Sequence, residues 1–266
     1  MPNDTALWAA TLGTTVGEAW LRRDEPKSPH AVARFHEAAE LLSRGVPFAY
    51  AVGHVPFRTL DLAIDSRALI PRPETEGLVE LVLTEIGKRE TENGKRGLAA
   101  DIGTGSGCIA LSLAVEGRFE KVIAVEQSPA AAALARENVL RIAPVTPVEI
   151  RIGNLLGPLV ESGERYRVIV SNPPYLTAAE YEALDSSVRD FEPRDALVSG
   201  TDGLAATRAL LAGAANLLEP QGVLALEIDE RRAGAVRALA HEYGWPDVAI
   251  HADLFGCPRY LLAFTP

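Results

Sequence analysis

Two short stretches of this sequence carry residue types whose spacing suits chemistry. The first is Asn172-Pro173-Pro174-Tyr175, preceded by Ser171 and by the apolar run at 168–170. Consecutive prolines fix the backbone, so the Asn172 carboxamide is offered from a rigid position. Such a group suits an acceptor that is itself a planar nitrogen, an amide or an amine on an aromatic ring. An amide nitrogen is a poor nucleophile because its lone pair is delocalised into the carbonyl. If Asn172 and the Pro173 carbonyl each accept one of its N–H bonds, the remaining direction can be aimed at an electrophilic carbon. Tyr175 can pack against the flat face of the acceptor and hold it. Positioning of this kind supplies roughly 7–11 kcal/mol in favourable cases. No strong base is needed first, since the proton can leave afterwards from the cationic product.

The second stretch is Asp101-Ile102-Gly103-Thr104-Gly105-Ser106-Gly107. It follows a short apolar run and opens a helical pattern. Glycine at every second position lets the backbone approach a ligand closely and take dihedrals barred to other residues. Glu126, twenty-three residues after Gly103, ends the next apolar run and is placed to accept hydrogen bonds from ribose hydroxyls. A dinucleotide fingerprint wants its third glycine one place later, where this chain has Cys108. The observed spacing therefore favours a nucleoside sulfonium, S-adenosylmethionine, over a dinucleotide.

These loops need strands to hold them. From Leu98 onward, apolar runs (LAADI, KVIAVE, VEIRI, YRVIVS, GVLALEI, RYLLAF) alternate with helical patterns, the signature of a mainly parallel sheet with helices on both faces. Upstream the texture differs. Ser28 can cap a helix with Pro29 in its first turn, stopped by Gly45 and Pro47, and Phe35, Ala38, Ala39 and Leu42 share one face of it. An earlier helix is expected from about Thr5 to Leu21. Leu60, Leu62 and Ile64 alternate as in a strand, so a hairpin or extended linker follows the helices.

Composition narrows the partners. The 266 residues are 47% hydrophobic and carry a net charge of −10, which leans against a large nucleic-acid footprint, since such proteins show a basic face. No apolar run is long enough to span a bilayer, and the first residues lack a secretory pattern. Cys108 and Cys257 are in no metal-type pair and read as reduced thiols in a cytoplasmic protein. His54, His241 and His251 lack ligand spacing, so no metal is expected. Trp8, Trp20 and Trp245 read as core residues, and His36 as solvated.

Taken together, IPRPETEGLVE at 70–80, DIGTGSGCIAL at 101–111 and SNPPY at 171–175 resemble the HemK/PrmC family of release factor glutamine methyltransferases. EPRDAL at 192–197, the glycines at 200 and 203, and DLFGCPR at 253–259 extend the resemblance. It implies a seven-stranded, doubly wound, Rossmann-like α/β methyltransferase domain at 76–266. A hairpin and linker at 51–75 and a small helical N-terminal domain at 1–50 precede it. The implied reaction moves a methyl group from S-adenosylmethionine to the side-chain amide nitrogen of the glutamine in the GGQ motif of peptide chain release factors. By that match Asp101, Gly103, Thr104, Gly105, Ser106, Gly107 and Glu126 hold the cofactor with Asn154, Leu155 and Asn172, Leu155 lying along the adenine. Asn172, Pro173, Pro174 and Tyr175 hold the acceptor.

The chain departs from the family in having Glu126 and Asn154 where aspartate is usual, and Glu227-Ile228-Asp229-Glu230-Arg231 where an E-G-x-x-Q pattern is expected. Its N-terminal domain is shorter by some tens of residues. Arg72 and Glu74 either close over the cofactor or pin the linker. Arg194 belongs to a substrate-side loop or, as the commoner explanation, to a surface ion pair. A monomer is the default expectation. Two alternatives stay open: methylation of exocyclic adenine or guanine amines in nucleic acid, and a cofactor-binding module without turnover.

Overall fold

The computed structural model describes residues 4–88 and 97–266. Its N-terminal part holds α1 (Asp4–Leu12), α2 (Val16–Leu21), α3 (Pro29–Ser43) and α4 (Phe48–Val52). The single helix expected from about Thr5 to Leu21 is thus two. Gly13 takes φ +65°, a left-handed conformation that ends α1. Thr15 then restarts the chain with a capping box, its hydroxyl accepting from Glu18 N while Thr15 N donates to the Glu18 carboxylate. Ser28 caps α3 as expected, accepting from Ala31 N at 3.2 Å. Phe35, Ala39 and Leu42 pack with buried Leu7, Ala38, Ala51 and Val52 into a small core. Trp8 stacks on Phe35 and Trp245 is buried, but Trp20 is no core residue. It is 54% exposed, with the Arg23 guanidinium 4.4 Å above its ring.

The expected hairpin is β1 (His54–Phe57) and β2 (Leu60–Ala63), paired antiparallel. Then follow α5 (Pro73–Lys88), β3 (Leu98–Ile102), α6 (Cys108–Glu116), β4 (Lys121–Glu126), α7 (Pro129–Ile142), β5 (Val148–Ile152), α8 (Gly157–Ser162) and β6 (Tyr166–Ser171). After these come α9 (Ala178–Glu182), α10 (Ser186–Arg189), α11 (Ala205–Gly213), β7 (Leu218–Glu227), α12 (Ala233–Glu242), β8 (Asp247–Ala252) and β9 (Pro258–Phe264). Asn138 of α7 fastens the hairpin, accepting from Ala63 N and donating to the Ala63 and Ser106 carbonyls.

The seven-stranded sheet runs β5-β4-β3-β6-β7-β9-β8, with β9 antiparallel to both neighbours and the rest parallel. Successive strand residues feed opposite faces. Ala99, Val168 and Val170 join a core with α5 and α6, whereas Ala100, Ile102 and Ile169 join one with α11 and α12. Both faces are covered, so the central strands are predominantly apolar, with Asp101 buried in β3. Because β3 lies between β4 and β6, the chain leaves β3 on one side and later returns on the other. The crevice beyond the carboxyl ends of β3 and β6 is therefore a topological switch point, where ligands bind in sheets of this kind.

Candidate active site

That crevice opens into a cavity of about 910 Å³. Its wall carries Gly103 and Gly105 after β3, Glu126 at the end of β4, Asn154 and Leu155 after β5, and Asn172, Pro173 and Pro174 after β6. Asp101, Thr104, Ser106, Gly107 and Tyr175 are not part of the wall. Asp101, Thr104 and Ser106 are buried, and Gly107 precedes α6.

Gly103, Gly105 and Gly107 take φ of +74°, +55° and +87°, which only glycine adopts without strain. Gly103 N and Thr104 N donate to Val125 O at 2.9 and 3.0 Å, fixing the loop to β4. A Cβ placed on Gly103 would meet nothing within 4 Å, so the loop turns bare backbone toward open space. Beneath it, Asp101 accepts from Thr104 Oγ1 at 2.5 Å and from Ala110 N at 3.1 Å. Burial pushes its carboxyl up to about 7 in spite of those bonds, with Glu126 adding to the rise. Asp101 is a brace between the loop and α6.

The Glu126 carboxylate accepts from Gly105 N and Ser128 N, one bond to each oxygen at 2.9 Å. Each oxygen keeps further lone-pair capacity, so the pair can receive two vicinal hydroxyls. Gly153 N donates to Glu126 O at 2.9 Å and brings the next loop alongside. There Leu155 takes φ +46°, a left-handed conformation that costs a non-glycine residue roughly 1–2 kcal/mol and often marks a residue held for function. Bare glycine backbone, a pre-oriented carboxylate and an apolar wall fit S-adenosylmethionine.

At the end of β6, Ser171 Oγ donates to Ile102 O at 2.6 Å and joins the two loop-bearing strands. Asn172 Nδ2 donates to Thr75 Oγ1 at 3.0 Å, and that hydroxyl contacts Glu227 Oε2 at 2.7 Å. Glu227 ends β7 and is 2% exposed. Burial pushes its carboxyl up to about 7, against the pull of Thr75, Arg259 and Arg72, with Glu74 assisting the rise. Burial likewise holds the Tyr175 phenol at about 12, neutral at physiological pH. Sequence reasoning did not single out Thr75 or Glu227 as site residues. Thr75 was one letter of the PRPETE segment, and Glu227 only the start of a poor pattern match.

Two further segments brace the loop after β6. Leu176 N donates to Leu197 O and Ser199 N to Leu176 O, at 2.9 and 2.8 Å. Gly203, at φ +77°, packs so closely that a Cβ there would lie 2.3 Å from Tyr175 O. Arg72 pins the linker, its guanidinium 2.6 Å from the Glu192 carboxylate, which is 1% exposed. The Glu74 carbonyl accepts from the Tyr260 hydroxyl at 2.7 Å. Arg194, for which a surface ion pair was the commoner expectation, instead lines the cavity with its guanidinium 5.4 Å from the Tyr181 ring. Among the described residues no cluster of His, Cys, Asp and Glu could hold a metal ion, and no helix is long and apolar enough to cross a membrane.

Residues 80–189 match the model of the methyltransferase small domain family. A release factor glutamine methyltransferase of Moorella thermoacetica is 40% identical over 258 residues, covering 97% of this chain and 88% of that protein. One from Xylella fastidiosa is 41% identical over 250 residues, covering 93% and 88%. Among solved structures, a methyltransferase from Pyrococcus furiosus superposes with a TM-score of 0.56 at 22% identity, covering 88% of this chain and 96% of that one.

Proposed function

The chain belongs to the release factor glutamine methyltransferase family, and on that premise we propose that Asn172 and the Pro173 carbonyl present the acceptor glutamine in its cleft. The enzyme methylates the side-chain amide nitrogen of the GGQ glutamine of peptide chain release factors. S-adenosylmethionine supplies the methyl group, activated on a sulfonium centre. The backbone of Gly103 and Gly105 receives its amino-acid part, Glu126 the ribose hydroxyls, and Leu155 with Asn154 flanks the adenine. Asp101, Thr104, Ser106 and Gly107 keep that loop in shape from below. Asn172 Oδ1 and Pro173 O accept the two amide N–H bonds and aim the nitrogen's lone pair, while Pro174 confines the flat side of the amide and Tyr175, outside the cavity wall, follows it on the same loop. Aim and exclusion of water do the work, as expected for a weak nucleophile that needs positioning more than a base.

The observation that carries the acceptor is 40–41% identity over more than nine-tenths of the chain to proteins of that name. The net charge of −10 supports a protein acceptor over nucleic acid, and the protein acts as a monomer in the cytoplasm. Transfer of labelled methyl to purified release factor, beside a factor whose GGQ glutamine is replaced, tests the reading. Label on the first alone is expected. Label on RNA or DNA in place of the factor would move the acceptor to an exocyclic amine. In the same assay Asn172→Ala should lose about 100-fold in kcat, the scale of one lost contact to the reacting group, with cofactor affinity nearly intact.

A further inference from the structure

A carboxamide has two ends of opposite character, and only one serves an acceptor NH2. If Asn172 turned its own NH2 toward the substrate, two donors would face each other and the acceptor amide would be repelled. Something must therefore fix which end faces the cleft. Asn172 Nδ2 lies 3.0 Å from Thr75 Oγ1, and Thr75 Oγ1 lies 2.7 Å from Glu227 Oε2. Thr75 and Glu227 are buried, at 2% exposure each, so water does not substitute for either partner.

We propose that Thr75 and Glu227 are positioning residues, a directed hydrogen-bond chain that holds the Asn172 carboxamide with its oxygen toward the acceptor. The inference rests on the assignment of Asn172 to the acceptor amide. Its logic is donor counting. An ionised carboxylate only accepts, so Thr75 must spend its single hydrogen on Glu227. The Thr75 oxygen is then left only as an acceptor, and the only part of Asn172 that can meet it is the NH2. Asn172 Oδ1 is thereby sent the other way. Were Glu227 protonated, it could donate to Thr75 instead, the Thr75 hydrogen could turn to Asn172 Oδ1, and the chain would lose its direction.

Burial holds the Glu227 carboxyl near neutrality, so this loss of direction falls within reach of ordinary buffers. The charged and titratable groups around it come from several elements. Arg72 lies just before α5 and Glu74 in its first turn, Arg259 and Tyr260 on β9, Tyr175 after β6, and Cys108 at the start of α6. The tyrosine phenols and the Cys108 thiol are all held at about 12, so two carboxyls, Glu227 and Asp101 under the glycine loop, titrate near pH 7. Glu227, the one bonded to Thr75, is assigned the transition that Glu227→Gln removes. Transfer is expected to rise with pH through that point, because the ionised carboxylate gives the useful orientation.

Two readouts test this on the full-length protein. The first is the Asn172 side-chain NH2 signal in nitrogen-15 NMR without substrate, identified by its absence from Asn172→Ala and followed from about pH 5 to 9, two decades either side of the transition. The second is single-turnover methyl transfer to release factor over the same range, with cofactor binding measured alongside to show that each variant is folded. In the wild type the Asn172 signal should shift, and the rate rise, with one midpoint near 7. Thr75→Val should abolish the shift and lower kcat by about 10-fold or more, the value of one directed hydrogen bond, with little change in KM. Thr75→Ser should restore both. Glu227→Gln, whose amide can offer either end to Thr75, should lower kcat and flatten the pH limb. The proposal falls if the wild-type Asn172 signal ignores pH, if Thr75→Val keeps kcat within about twofold of the wild type, or if Glu227→Gln keeps the limb. An Asn172 signal that titrates as described in an enzyme that never labels release factor would leave the chain standing and remove the acceptor assignment instead.

Discussion

Glu227→Gln should make the protein more stable at neutral and alkaline pH and leave its stability unchanged in acid. Burial holds the Glu227 carboxyl at about 7, against an ordinary value of 4.5. A folded-state value above the unfolded one fixes the sign. The stability this group contributes is fully present below the unfolded value and is lost as pH rises through the folded one. At about 1.4 kcal/mol per pH unit, the interval between 4.5 and about 7 caps that loss at about 3 kcal/mol, with the bond to Thr75 and the field of Arg259 already counted. Glutamine has the shape of the neutral acid and does not ionise, so the variant escapes the loss. Urea unfolding of both proteins should show a gap that grows from near zero at about pH 4 to about 3 kcal/mol at about pH 8. A gap of equal size at both ends would refute the reasoning. A carboxylate that weakens the fold where the enzyme works is a poor choice for packing alone, and the proposed direction of Asn172 would supply the compensating gain.

Three other substitutions probe the frame around the site. Gly203→Ala places a methyl 2.3 Å from Tyr175 O at φ +77° and should cost about 3 kcal/mol, with loss of turnover. A thermal midpoint equal to that of the wild type would contradict it. Arg72→Ala strands the buried Glu192 carboxylate. Since Arg72 is itself one-third exposed, the cost should be about 2 kcal/mol in urea unfolding, mostly recovered when Glu192→Gln is added, and a double variant no more stable than Arg72→Ala would argue against the pairing. Glu126→Ala removes the acceptor of Gly105 N and Ser128 N and should weaken S-adenosylmethionine about 10- to 100-fold by calorimetry. Unchanged affinity would take Glu126 out of the cofactor site.

What was legible in the sequence is what a few adjacent residues decide. The strands that became β3, β4, β6, β7 and β9 announce themselves as mostly apolar runs because helices cover both faces of the sheet, and β5, at one edge, shows itself by the alternation of VEIRI. β8 does not. It is the other edge strand, half-exposed along DVAIHA, and its pattern falls between a buried strand and a loop. The break between α1 and α2 was legible in Gly13 and in the Thr15-to-Glu18 capping box, yet the apolar residues on either side suggest one continuous helix. The glycine loop, Glu126 and Asn172-Pro173-Pro174, which border the crevice, stand out in the sequence because a switch-point crevice is built from strand ends, and each strand end is a contiguous stretch. The chain that directs Asn172 obeys no such rule. Thr75 lies 97 positions from Asn172 and 152 from Glu227, and Arg72 lies 120 from Glu192, so no local spacing relates them. Thr75, Asn172 and Glu227 meet only because α5 packs against β7 while β6 lies beside it. A single sequence therefore displays the groups that would touch ligands, on loops, and conceals the groups that orient them from within the core. Here the distinction has chemical weight, since in the proposed chain the visible Asn172 would accept a hydrogen bond or block it according to what the hidden Thr75 and Glu227 dictate.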